Sequence, residues 1–194
     1  MSTLAKSFDL LRRLESPIPK NRRYQFDVKG LKKGAFFRYK KRTFMVEEVF
    51  VYEERNKNGK CKNSWQEFKL YCLEDEKTSY LEWEEDDEIE IYFCATKLKL
   101  KDIGMSITEV EKIADKESGE IRFDGENYAY DDDYRAFFRK EGALESECYF
   151  YDFESSSGES LSVEAWVDEG DWEYEVYRSA SVSSNEIDMI SVGG

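Results

Sequence analysis

The stretch EIRFDGENYAY, Glu120 to Tyr130, decides the fold. Ile121, Phe123, Tyr128 and Tyr130 alternate about Asp124-Gly125, a dipeptide suited to the two-residue type I′ turn of a β-hairpin. Eighty-four residues earlier, FFRYKKRTFMV (Phe36 to Val46) repeats the arrangement. Phe37, Tyr39, Phe44 and Val46 take the regular positions, Arg38 matches Arg122, and Lys40-Lys41 stand at the turn. Further out, EFKLYCL (Glu67 to Leu73) falls on ECYFYDF (Glu147 to Phe153) at an offset of 80. YLEW (Tyr80 to Trp83) then answers to SVEAW (Ser162 to Trp166) with one residue inserted. Each half closes on an acidic turn and a strand, IEIYF or WEYEVY.

Three matches in one order predict a strand-rich unit used twice. One such unit has exposed edges and half a core, whereas two copies pair edges or pack faces. The expected fold is therefore all-β and mainly antiparallel. Two tandem related β units, 24–104 and 105–194, form packed sheets or small open barrels, with a groove between them. A short N-terminal helix and linker, 1–23, precede them. Leu4, Phe8, Leu11 and Leu14 share one helical face, Lys6, Arg12 and Arg13 lie on the polar side, and SPIP ends the helix. Such a helix caps the core or docks on a partner or a membrane surface. KLKLKDIG (Lys97 to Gly104) reads as a strand. For 105–118 helix and strand both stay open, Thr108 with Glu111 fitting a capping box.

At 40% hydrophobic and 15% aromatic residues, the 194-residue chain has enough apolar surface for a folded core. There is no histidine, which excludes His-based triads and imidazole zinc sites. None of the four cysteines forms a C-x-x-C pair, and Cys72 and Cys148 lie inside apolar alternations. Free thiols and the lack of an apolar leader suit a reducing cytoplasm. No P-loop, dinucleotide fingerprint or nucleophile elbow is present. Charge is split: residues 1–42 hold 13 bases and 3 acids, while the rest carries a balance of −24 within a net −14. The basic start either packs on acidic surface of the same chain or leaves the acidic body free for basic partners.

LKKGAFFRYKKRTFMVEE, SWQEFKLY and YLEWE resemble the bacterial family labelled domain of unknown function 4178. Leu31, Gly34, Tyr39, Phe44 and Val46 stand in its first motif, Trp65, Glu67, Phe68 and Leu70 in its second, and Leu81 in its third. The resemblance runs from Lys29 to Ile190. It departs at the turn glycine, replaced by Lys40 or Lys41, and at Glu82, which separates Leu81 from Trp83. The resemblance implies a β-rich cytoplasmic accessory protein, in the company of membrane-remodelling systems of the phage-shock-protein-A kind and of polyamine metabolism. It carries over no catalytic residues.

Two acidic runs are the candidate partner site: Glu84, Glu85, Asp86, Asp87 and Glu88, and Asp131, Asp132 and Asp133. Phe8 and Arg12 of the N-terminal helix join them. Both runs fall at expected turns and lack the D-x-D-x-D-G spacing of a calcium loop, so solvated turns are the simpler reading. Glu82 and Glu164 fall on equivalent strands. Turned inward they would form a carboxylate pair suited to acid–base work, but alternation beside Leu81 and Trp83 places them in solvent. Trp65, Trp83, Trp166 and Trp172 suit core packing and protein contacts, and without a basic groove nucleic acid is disfavoured. The expected function is a non-enzymatic adaptor or binding module without cofactor or metal. Its partner is a protein with a basic surface or a polyamine, and membranes are reached only through the N-terminal helix or a partner. The alternatives are an acidic inhibitor or immunity-type protein that mimics nucleic acid, and a carboxylate-dependent hydrolase using Glu82 and Glu164.

Overall fold

The computed structural model describes residues 28–168 and 171–193. The expected N-terminal helix, with Phe8 and Arg12, lies outside them.

Antiparallel strands dominate, as the alternation predicts. The strands are β1 (Phe36–Tyr39), β2 (Arg42–Arg55), β3 (Cys61–Cys72), β4 (Thr78–Glu85), β5 (Ile89–Leu98), β6 (Glu120–Phe123), β7 (Glu126–Lys140), β8 (Ser146–Ser155), β9 (Glu159–Asp168), β10 (Asp171–Ser181) and β11 (Ile187–Ser191). One eight-residue helix, α1 (Ile107–Ala114), joins the halves. Its capping box is Ser106 with Glu109, whose carboxylate accepts from the Ser106 amide at 2.8 Å and hydroxyl at 2.7 Å. The expected pair, Thr108 and Glu111, lies two residues too far on. KLKLKDIG is not all strand: β5 ends at Leu98, and Leu100–Ile103 is a 3₁₀ turn closed by left-handed Gly104.

The strands form one sheet, ordered β11-β1-β2-β3-β4-β5-β10-β9-β8-β7-β6, and β2 also pairs with β7. That extra pairing closes eight strands, β2 to β5 and β10 to β7, into a barrel. The expected packed sheets are replaced by this continuous wall. β11, at the end of the chain, pairs with β1 of the first half.

Both closing strands divide one edge between two partners. β2 pairs with β1 over Arg42–Met45 and with β7 over Phe50–Glu54. β7 pairs with β6 over Glu126–Ala129 and with β2 over Ala136–Lys140. Register slips at Glu47 in β2 and at Asp131 in β7, 84 residues apart, mark bulges between the two uses. A bulge bends the strand and exchanges its faces. Before it, Phe44 and Val46 point to one apolar cluster; after it, Phe50 and Tyr52 point to another. The turns of the β1–β2 and β6–β7 hairpins also lie 84 apart. Lys40 (φ 47°), Lys41 (φ 65°), Asp124 (φ 52°) and Gly125 (φ 87°) are all left-handed, as type I′ turns require.

Three large clusters result. The first, under β1, β11 and Val28, holds Phe37, Phe44, Phe68, Leu70 and Leu81. The second, under β6 and α1, holds Ile121, Tyr128, Phe153, Leu161 and Val163. The third gathers Phe50, Tyr52, Trp65, Ala136, Cys148 and Phe150 from both halves across the barrel interior. There the Tyr52 and Trp65 rings stack at 5.2 Å, and Phe150 meets Trp65 edge-on at 5.7 Å. The offset of 80 between β3 and β8 fails here. It sets Phe68 on Cys148, which belong to opposite faces. The pairings Phe44–Cys72 and Tyr128–Ser155 instead give 83.

Candidate functional site

From Trp65 onward β3 is largely buried on both sides. The apolar face of β3, with Phe68 and Leu70, lies under the covering strands, so the other face, with Trp65 and Glu67, must point into the barrel. The same geometry turns Glu82 of β4 and Glu164 of β9 inward. The expectation that alternation leaves them in solvent is overturned: a second layer covers Leu81, and the charged face is the enclosed one.

At one end the barrel opens into a cavity of about 770 Å³. All eight barrel strands contribute to its lining, from Glu54 on β2 round to Ser179 on β10. Twelve lining residues are Asp or Glu, and one, Lys62, is basic. Lys62 already pairs with Glu54 at 2.8 Å.

The two acidic runs, 43 residues apart at their nearest ends, meet here. Glu84, Asp86, Asp87 and Glu88 face Asp131 and Asp132 across the rim. Two members turn elsewhere. Glu85 pairs with Lys29 at 2.5 Å, and Asp133 accepts the Tyr130 hydroxyl at 2.5 Å together with that of Tyr149. Lys29–Glu85 and Arg42–Asp75 at 3.0 Å set part of the basic start on acidic surface of the same chain.

Deeper in, Trp65, Tyr134 and Phe150 form an aromatic wall. Tyr134 and Phe150 stack at 5.2 Å, and Trp65 stands edge-on to both. Glu82 and Glu164 line the cavity too, Glu82 paired across strands with buried Glu67 and Glu164 with Phe150, while Asp152 pairs with Asp132 of the rim. Glu164 is 6% exposed; one oxygen accepts the Trp166 indole N–H at 3.0 Å, and the other accepts from no described residue. Asp152 accepts the Ser162 hydroxyl at 2.6 Å, and Glu67, 8% exposed, accepts the Tyr52 hydroxyl at 3.3 Å. Glu82 has no hydrogen-bond partner among the described residues and lines the cavity.

These carboxyls hold their protons far above the usual carboxylate range. Burial pushes Glu67 up to about 7, against the opposing Tyr52 hydrogen bond. Asp152 is raised to about 6 by burial, with the Ser162 and Tyr134 hydroxyls pulling the other way. Glu82 is raised well above its ordinary value by burial and then by Glu67 and Asp152; Glu164 likewise by burial and then by Glu67 and Glu82.

Sequence reasoning located the rim runs but missed Glu54, Glu67, Glu90, Asp152 and Glu154. They sit within strands, where period-two alternation treats an acid as solvent-facing. Among the described residues no three His, Cys, Asp or Glu side chains converge as a metal site. None of the helices in the described residues is long and apolar enough to cross a membrane.

A family model described as "Domain of unknown function (DUF4178)" matches residues 32–184. No curated protein and no solved structure matches the chain.

Proposed function

For a chain that belongs to the DUF4178 family, whose description assigns no activity, we propose a function read from the cavity: a non-enzymatic cytoplasmic binding module that takes a cationic partner at the barrel mouth. The observation that carries this is twelve carboxyl groups, from six of the eight barrel strands and the β4–β5 turn, around one opening, against a single, already paired lysine. Converging charge of one sign attracts and orients a basic ligand, which is either a segment of a basic protein or a polyamine. The test is titration of the purified protein with a lysine-rich peptide from about 50 to 500 mM salt. Affinity is expected to fall steeply as the ions screen the rim. Absence of binding, or binding indifferent to salt, refutes the reading.

We infer further that the two halves descend from one duplicated unit. Support comes from the matching turns and bulges 84 residues apart and from the β2–β7 register, in which Tyr52–Phe138 and Glu54–Ala136 are exchanged by the same offset about Glu53–Phe137.

The carboxylate-dependent hydrolase is the second reading, favoured by the inward Glu82 and Glu164 with raised pKa values beside an aromatic wall. Turnover of any substrate that survives Glu82→Gln with Glu164→Gln removes it. Mimicry of nucleic acid fits less well, because the acids line a concave opening rather than an outer surface.

A further inference from the structure

Resting on the binding reading above, we propose that the inner end of the cavity is a site for a primary alkylammonium group. Its methylene chain lies along Trp65, Tyr134 and Phe150, and a second ammonium, where the ligand has one, sits among the rim carboxylates. The register orders this lining: on β7 and β8 the cross-strand acids Asp132 and Asp152 stand one inward-facing position from Tyr134 and Phe150, and on β3 Trp65 stands one from Glu67, which pairs with Glu82. A chain of charge, apolar spacer and charge is its complement. A lone metal ion or an apolar ligand matches only one of the zones.

The floor discriminates among cations. Glu164 has committed one oxygen to Trp166 and offers the other, and Glu82, on a separate strand, has no hydrogen-bond partner among the described residues. A guanidinium is best met by both oxygens of one carboxylate in its plane. An ammonium has three donors spread about a point and collects single oxygens from separate carboxylates. A quaternary ammonium has no donor at all, and its methyl groups would leave the buried Glu164 oxygen unpaired.

The ammonium is borne either by a free polyamine or by a lysine side chain of a partner, and calorimetric titration of the whole protein separates these sources. The probes are spermidine, the bis-quaternary diamine pentamethonium, hexalysine and hexaarginine. Saturable spermidine binding at least tenfold tighter than pentamethonium, without a comparable preference for hexalysine over hexaarginine, supports the site with a free polyamine as ligand. Hexalysine at least tenfold tighter than hexaarginine supports it with a lysine chain. In either case Glu82→Gln with Glu164→Gln should weaken the preferred ligand tenfold or more. Neutralising Glu84, Asp86, Asp87 and Glu88 should weaken all four probes together. Salt-sensitive binding with no preference for primary over quaternary ammonium or lysine over arginine, or unchanged by the double glutamine variant, overturns the floor site and leaves the rim reading standing. Binding of no probe overturns both. The comparison of probes on the unaltered protein decides the matter even if the double variant fails to fold.

Discussion

Replacing Glu67 by glutamine should make the protein more stable, and the more so the higher the pH. Glu67 is 8% exposed, and its carboxyl is raised from an ordinary 4.5 to about 7. Each unit of displacement is worth about 1.4 kcal/mol between the two protonation states. The folded protein holds this proton more tightly than the unfolded chain, so the group imposes no penalty well below pH 4.5. As pH rises the unfolded chain ionises first, stability falls, and the fall levels off above pH 7 at about 3 kcal/mol. Between pH 5 and pH 8 the parent should lose roughly 2–3 kcal/mol through this one group. Glutamine keeps an oxygen for the Tyr52 hydroxyl and has no charge to bury. Its amide also donates towards neighbouring carboxyls and relieves the repulsion that Glu67 exerts on Glu82 and Glu164. Urea unfolding at pH 5, 6, 7 and 8 measures the effect. The two proteins should differ by about 1 kcal/mol at pH 5 and by about 3 kcal/mol at pH 8. A parent curve flat across this range, or a variant curve running parallel to it, would refute the placement of Glu67 in an enclosed acidic chamber.

Three further outcomes are expected. Lys41→Gly should raise stability by about 1 kcal/mol in thermal or urea unfolding, since Lys41 holds φ 65° in a turn that glycine adopts without strain. Gly193→Ala should destabilise markedly, because a Cβ there would lie 2.7 Å from the Ala35 nitrogen and the Lys33 carbonyl oxygen at φ 78°; a midpoint within error of the parent would contradict this packing. A thiol reagent on the native protein should label one cysteine rapidly, the exposed Cys61, while Cys72, Cys94 and Cys148 react only on unfolding. Burial raises the Cys148 thiol further, so mild alkali should not expose it.

Much of the fold was legible in the order of residues. Asp124-Gly125 fixed a hairpin because a type I′ turn accepts that dipeptide, and alternation on either side made strands. The helix at 107–114 stayed ambiguous because Val110 and Ala114 are its only buried residues, too few for a clear period. Which face lies inside was not legible. Period two separates Phe68 and Leu70 from Trp65 and Glu67, but it presumes that one face meets water. Here β1, β6, α1 and β11 supply a second covering layer, and barrel closure encloses the charged side. The bulges at Glu47 and Asp131 then exchange the faces within single strands, which no fixed offset anticipates. The acidic runs were visible, but their meeting depends on β2 finding β7, a pairing between segments about 86 residues apart with no local signature.

The seam between β2 and β7 also decides what occupancy of the barrel does to the whole chain. Seven of the twelve lining acids precede α1 and five follow it, so neither portion keeps the whole site once the seam parts. A tightly bound cation would therefore act as a rivet: slow amide exchange would spread to both portions at once, and a partially opened molecule would release its cargo before either side had come apart.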